Sequence, residues 1–240
     1  DMKLRYVTLT GADNNTSIQG MHDLAKKFPF VEFAILFSQS KSGVARYPDW
    51  EWVTELSESS NGLNLSAHMC GQWVDDADRF GKLTRFFNSS DEDEFVGEAF
   101  RRVQFNLSGN RLDKVLNNPN SGCWSAGSRD ANFEIIFGGP YVKNGLIDKL
   151  DSVMLSHYGI APLFDSSGGR GVLEKSWPKI PCHEYGPMWC GYAGGLGPDN
   201  IKEELCRIEE VVGDAVIWID METKIRNKKD QFDLNLCEQV

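Results

Sequence analysis

The fold is indicated most clearly by residues 188–221, MWCGYAGGLGPDNIKEELCRIEEVVGDAVIWIDM. A short apolar run at 188–193 ends in glycines, and a second β-rich run follows at 215–221. Between them, PDNIKEELCRIEEVVG repeats apolar residues at helical spacing and ends at Gly213, a typical helix terminator. A strand, a helix and a second strand in this order are typical of a parallel sheet covered by helices.

The same alternation runs along the whole chain. Helical patterns occur at 16–28, 48–59 and 144–154 as well. Eight candidate strands lie at 4–10, 31–38, 63–70, 101–107, 132–138, 161–165, 188–193 and 215–221. Eight such units in 240 residues suit a closed barrel, which typically needs about 250. We therefore predict an α/β fold, a single-domain (β/α)8 TIM barrel over residues 1–240. A doubly wound open sheet is the alternative, although its G-x-G-x-x-G fingerprint is missing after the first strand.

The two faces of the predicted strands differ in polarity. Alternate side chains of a strand point to opposite faces, and one face is apolar throughout. The other carries polar residues such as Thr10, His68, Cys70, Gln104 and Asn106. In a barrel this face points inward. It forms either an interior of satisfied polar groups or a polar pocket at the carboxyl ends of the strands, where barrel active sites lie.

The composition restricts the class of partner. The net charge of −10 argues against nucleic acid, because phosphate backbones need clustered Lys and Arg. No apolar run approaches the roughly 18 residues of a membrane span, and the N-terminus lacks a signal-peptide stretch. The six cysteines show no C-x-x-C pair and no zinc spacing. We therefore expect a cytoplasmic protein with reduced thiols, no metal, no cofactor and no membrane partner. The sequence does not indicate the oligomeric state.

Two glycine-rich strand ends are candidates for the site. In AGGLGPDNI, residues 193–201, glycines precede a helix start, where free backbone N–H groups attract an anion. The alternative is a plain strand-to-helix turn. Asp165 ends the sixth strand in PLFDSSGGRGV, residues 162–172, where an acid could exchange a proton with a ligand. Alternatively, Asp165 caps backbone N–H groups of its own loop.

Four further side chains are candidates by chemistry. Arg170, and Arg46 in SKSGVARYP, could hold a carboxylate or phosphate, or could be solvated surface charges. His68 and Cys70 have ordinary pKa values near neutrality and could act as a base. Alternatively, His68 is a neutral interior histidine and Cys70 an inert buried thiol.

Five stretches together resemble the phosphoribosylanthranilate isomerase family. They are LTG at 9–11, SKSGVARYP at 40–48, VQFN at 103–106, LFDSSGGRG at 163–171 and AGGLGPDNI at 193–201. The resemblance implies a (β/α)8 barrel and an Amadori rearrangement, in which an Asp acts as general acid and a Cys removes a carbon-bound proton. It implies that Asp165 is the acid and that Arg46 faces the anthranilate carboxylate. It also implies that the backbone at Gly194, Gly195 and Leu196 holds the phosphate.

The chain departs from this family at three places. Thr10 occupies the position of the strand-one Cys, Asn106 that of the strand-four His, and DMETKIR, residues 220–226, that of the second phosphate loop. We therefore expect a phosphorylated sugar derivative other than phosphoribosylanthranilate to bind at the mouth of the barrel and to be isomerised by acid–base catalysis. The candidate catalytic residues are Asp165, His68, Cys70 and Thr10. The candidate ligand-binding residues are Arg46, Gln104, Asn106, Arg170, Gly194, Gly195, Leu196 and Thr223. The alternative function is that of a non-catalytic relative that binds a ligand or a protein.

Overall fold

The barrel predicted from the strand–helix alternation is present. The computed structural model describes residues 1–77, 95–106, 134–139, 160–165, 167, 170–183, 186–187 and 189–240. Its strands are β1 (Lys3–Thr10), β2 (Val31–Phe37), β3 (Asn64–Met69), β4 (Arg102–Asn106), β5 (Glu134–Gly139), β6 (Ile160–Phe164), β7 (Cys182–His183), β8 (Gly186–Pro187), β9 (Cys190–Ala193) and β10 (Val216–Met221).

Eight of these strands form one closed parallel sheet in the order β1-β10-β9-β6-β5-β4-β3-β2. They coincide with the eight predicted strands. Pairing of β1 with β10 closes the barrel, which excludes the open-sheet alternative. The sequence pattern gave no indication of β7 and β8, which pair antiparallel between β6 and β9.

The described α-helices lie between the strands and after the last of them. They are α1 (Ile18–Lys27), α2 (Trp50–Glu58), α3 (Gln72–Ala77), α4 (Ile201–Val212) and α5 (Leu234–Glu238). Ser17 and Asp49 cap α1 and α2 by accepting hydrogen bonds from the backbone N–H groups of Gly20 and Trp52. The helix predicted at 144–154 lies outside the described residues. No helix in the described part of the chain combines the length and the apolar character needed to span a membrane.

The apolar face of the strands packs outward against the helices. Phe33, Ile35, Leu65 and Phe105 are fully buried there, in the main hydrophobic cluster. The polar face points into the barrel. Each of the two interpretations of that face holds at one end of the barrel. The amino-terminal end has an interior of paired polar groups, and the carboxyl-terminal end has a polar pocket.

Paired charges occupy the amino-terminal end of the interior. The Arg102 guanidinium donates to Glu32 at 2.8 Å and to Glu134 at 3.2 Å, and it lies 4.3 Å from the ring centroid of Trp218. Trp189 donates its indole N–H to Glu134 at 2.6 Å. Because these charges are paired and hydrogen-bonded, the barrel tolerates them in its interior. The carboxyl-terminal end is open.

Candidate functional site at the carboxyl ends of the strands

A cavity of about 870 Å³ lies at the carboxyl ends of the barrel strands. Most of the residues predicted for the site line it: Thr10, Arg46, His68, Cys70, Gln104, Asn106, Asp165, Gly194, Gly195, Leu196 and Thr223. Arg170 is exposed and is not among the lining residues, and its Nε donates to the carbonyl oxygen of Ser167 at 2.8 Å. The fold thus brings eleven of the twelve candidates to one cavity.

Asp165 follows β6 and forms part of the cavity wall. Its Oδ1 accepts hydrogen bonds from the backbone N–H of Ser167 at 3.0 Å and from the Ser167 hydroxyl at 2.7 Å. Asp165 therefore does cap its own loop, as the structural alternative predicted, while it also faces the cavity. A Cβ atom added to Gly194 would lie 3.3 Å from the same Oδ1, so the acid adjoins the glycine loop.

The loop at 194–197 has a backbone course that requires glycine. Gly194 and Gly195 have φ angles of +108° and +68°. A Cβ atom on Gly195 would lie 2.5 Å from the backbone nitrogen of Leu173. Asn200, directly before α4, holds the loop in place, because its amide accepts from Gly197 N–H and donates to the Gly195 carbonyl, both at 2.9 Å. The backbone therefore reaches the cavity without side chains in the way.

The loop after β10 brings both signs of charge to the rim. Glu222 pairs with Arg46, whose Nη2 also lies 2.9 Å from Asp230. Arg46, expected to face a ligand carboxylate, thus already has two carboxylate partners in the protein. Burial raises the pKa of Glu222, although Arg46 opposes this effect. Lys224 lines the cavity and donates to Asp199 at 2.8 Å.

Asp220 is a site residue that the sequence interpretation did not single out. It is the penultimate residue of β10 and lies on the inward face, and its Oδ1 accepts a hydrogen bond from the Thr10 hydroxyl at 2.6 Å. Burial raises its pKa to about 8 although the Thr10 hydrogen bond lowers it, and the charges of Glu222 and Asp165 raise it further. Asp220 therefore holds a proton at neutral pH. The alternation in AVIWIDM was the available signal, since it assigns Trp218 and Asp220 to one face.

His68 and Cys70 are both poorly suited to the role of base. Burial, and secondarily the charge of Arg102, lower the pKa of His68 to about 3, so its imidazole is neutral and weakly basic. Burial raises the pKa of the Cys70 thiol despite a hydrogen bond from Asn106 Nδ2 at 3.1 Å. Gln104 in turn donates to Asn106 Oδ1 at 2.9 Å, so these polar groups form a chain along the cavity wall. His68 matches the alternative of a neutral interior histidine.

No protein-family model matches the chain, and no curated protein matches it in sequence. Among solved structures, it is similar to a truncated 3-deoxy-D-arabino-heptulosonate 7-phosphate synthase from Thermotoga maritima. The TM-score is 0.51 and the identity 10%, over 98% of this chain and 83% of that one.

Two further solved structures each have a TM-score of 0.48 and 12% identity. The N-(5'-phosphoribosyl)anthranilate isomerase from Pyrococcus furiosus is aligned over 98% of this chain and 95% of that one. A phospho-2-dehydro-3-deoxyheptonate aldolase from Thermotoga maritima is aligned over 98% and 66%. At such identities a likeness to solved structures concerns the fold alone. Together with the closed parallel sheet, the likeness to the synthase identifies this chain as a (β/α)8 TIM barrel.

Proposed function

We propose that the protein binds a small phosphorylated sugar derivative at the mouth of the barrel and isomerises it by proton transfer. In this proposal it is a divergent relative of phosphoribosylanthranilate isomerase that acts on another substrate. One observation carries the proposal: two carboxyl groups, Asp165 and Asp220, line the same cavity as the bare backbone of the 194–196 loop.

The phosphate group would bind at the 194–196 loop. Glycines at 194 and 195 let an anion approach the backbone N–H groups closely, and the positive end of α4 lies next to them. Thr223 and Lys224 line the cavity from the neighbouring loop and supply a hydroxyl donor and a positive charge. Lys224 compensates in part for Glu222, which repels an anion.

The two carboxyl groups would divide the proton transfer between them. Isomerisation of a sugar next to its carbonyl group needs a base that removes a proton from carbon and an acid that protonates the carbonyl oxygen. Asp220 holds a proton at neutral pH because its pKa is raised to about 8, which makes it the donor. Asp165 is then the base that accepts the proton from carbon. This assignment differs from the family resemblance, which implies that Asp165 is the acid and that a second residue is the base.

Proton exchange in D2O tests this assignment. Wild-type protein is incubated with a panel of aldose and ketose phosphates, and deuterium at the carbon next to the carbonyl is followed by NMR. We expect exchange with at least one of them, and a loss of about 10²–10⁴-fold in both Asp165→Asn and Asp220→Asn. Asp214→Asn is the matched control, because Asp214 is exposed and does not line the cavity. Exchange that survives in both cavity variants would rule out the assigned pair.

A second candidate function is ligand binding without turnover. Its support is the combination of Thr10 at the position of the family's Cys with the weakly basic His68 and the protonated Cys70. Binding of a sugar phosphate by the wild type, with no deuterium uptake across the panel, would favour this candidate over the isomerase.

A further inference from the structure

Two buried polar atoms on the cavity floor lack a hydrogen-bond partner in the part of the chain that the structure describes. Among the described residues, His68 Nε2 and Gln104 Oε1 are buried and make no hydrogen bond. Their side chains are only 2% and 6% exposed, yet both line the cavity. A buried polar atom without a partner is costly, and in native proteins such atoms are usually satisfied by water or a ligand. These two atoms therefore indicate a polar group that is supplied from the cavity.

The strand register brings the two atoms together. His68 on β3 lies opposite Gln104 on β4. Gln104 donates its amide Nε2 to Asn106, so its Oε1 is left as an acceptor. Gly138 on β5 makes room for this amide, because a Cβ atom there would lie 3.0 Å from Gln104 Nε2. The floor thus presents an amide acceptor beside an imidazole.

A carboxyl group completes the floor. His68 Nε2 and Asp220 Oδ2 are 3.9 Å apart, too far for a hydrogen bond between them. An oxygen atom about 2.8 Å from each would bridge the two. A neutral imidazole nitrogen and a protonated carboxyl can each donate or accept, so a hydroxyl group suits both. A ligand carboxylate does not suit this position, because Asp220, Asp165 and Glu222 all lie nearby.

We infer that the floor formed by His68, Gln104 and Asp220 binds uncharged hydroxyl groups of a polyol or sugar. It is a second subsite, separate from the 194–196 loop. The inference rests on the proposed function in one respect only, namely that the other end of the ligand carries a phosphate group. It narrows the substrate class to molecules whose non-phosphate end is a polyhydroxylated chain or ring rather than an aromatic acid.

Titrations with D-ribose 5-phosphate, D-ribose and inorganic phosphate test the inference. We expect wild-type protein to bind D-ribose 5-phosphate at least about tenfold more tightly than inorganic phosphate, since the hydroxyls add hydrogen bonds. Gln104→Met keeps the length of the side chain and removes its amide, so it should lose that advantage and leave the affinity for inorganic phosphate unchanged. Ser66→Ala is the matched control. Ser66 Oγ is also buried and makes no hydrogen bond to the described residues, but Ser66 does not line the cavity, so all three affinities should stay as in the wild type.

NMR of the wild-type protein tests the same inference without requiring that a variant folds. With 15N-labelled histidine, the Nε2 resonance of His68 should shift with D-ribose 5-phosphate and not with inorganic phosphate. An unchanged His68 resonance, together with equal affinities for the two phosphates, would mean that the floor holds water alone and would overturn the inference while the phosphate site stands. A His68 shift with D-ribose, in a protein that binds neither phosphate, would support the floor site and contradict the proposed function.

Discussion

Asp220 is a buried acid of the cavity whose carboxyl group keeps its proton at neutral pH. Its carboxyl group is buried at the end of β10, and three other acids, Glu222, Asp165 and Glu32, disfavour its ionisation. Thr10 on the neighbouring strand β1 donates a hydrogen bond from its hydroxyl group to Asp220 Oδ1 at 2.6 Å.

We predict that Asp220→Asn changes the pH dependence of stability. The folded protein holds this proton up to about pH 8, whereas an unfolded Asp loses it near its ordinary pKa of 3.8. The contribution of Asp220 to stability is therefore complete below about pH 4 and is lost as the pH rises towards 8. One pKa unit corresponds to about 1.4 kcal/mol, so the variant should gain about 2 kcal/mol or more relative to wild type between pH 5 and pH 8. Urea denaturation at the two pH values measures this gain.

Asp199→Asn serves as the control for this experiment. Asp199 is exposed, and a hydrogen bond from Lys224 lowers its pKa, so its contribution is constant between pH 5 and pH 8. If Asp220→Asn behaves like Asp199→Asn, the Asp220 carboxyl is ionised in the folded protein and the proton-donor role is wrong.

At the level of the elements, the loop between β9 and α4 depends on the approach of another segment. Residues 171–173 pass so close to Gly195 that no side chain fits there. Asn200 fixes the loop from the other side through Gly197 and the Gly195 carbonyl. The shape of the candidate phosphate site therefore results from two segments, 171–173 and 194–200, rather than from the glycines alone.

We predict that Gly195→Ala both destabilises the protein and weakens phosphate binding by about tenfold or more. A methyl group there would lie 2.5 Å from the Leu173 backbone, so the loop must shift, and small displacements of a binding group are costly. The control is Gly62→Ala, which has a positive φ of +88° with nothing within 4 Å of the added methyl group. Backbone strain alone should cost Gly62→Ala about 1–2 kcal/mol without a change in phosphate affinity. Equal phosphate affinities in the two variants would show that the loop does not hold the anion.

At the level of the whole molecule, the two ends of the barrel interior differ in how their polar groups are paired. The amino-terminal end holds Arg102, Glu32 and Glu134 in a paired cluster beside Trp218 and Trp189. The carboxyl-terminal end holds two buried polar atoms, His68 Nε2 and Gln104 Oε1, that make no hydrogen bond within the described part of the chain. This arrangement agrees with the general division of (β/α)8 barrels into a stabilising end and a functional end.

We predict that Arg102→Met lowers the free energy of unfolding by about 3–5 kcal/mol, because Glu32 then keeps a buried carboxylate without its partner. Affinity for cavity ligands, measured at a temperature where the variant is folded, should change little. Lys27→Met is the matched control, since the Lys27–Glu238 pair is exposed and is worth less than about 1 kcal/mol. Similar losses in both variants would mean that the Arg102 cluster is not a buried ion-pair network. Chemical denaturation at neutral pH measures both losses.

The barrel and the position of its mouth follow from local features of the sequence. Strand periodicity, helix starts such as Ser17 and Asp49, and the eight-fold alternation are local properties, because each depends on residues a few positions apart. The inward polar face was readable for the same reason. The predicted strand ends also explain why most candidate residues line one cavity, since parallel strands bring their carboxyl ends to one edge.

What those residues can do in the cavity depends on contacts that form only in the folded chain. Protonation depends on burial and on charges far away in the chain, as for Asp220 beside Thr10 and for His68 under the influence of Arg102. The sequence around Arg46 predicts a ligand-binding arginine. In the folded chain, however, Arg46 pairs with Glu222 and Asp230, which lie near the other end of the sequence. Periodicity carries no information about such encounters, because electrostatic energies depend on distances in space and on exclusion of water rather than on spacing along the sequence.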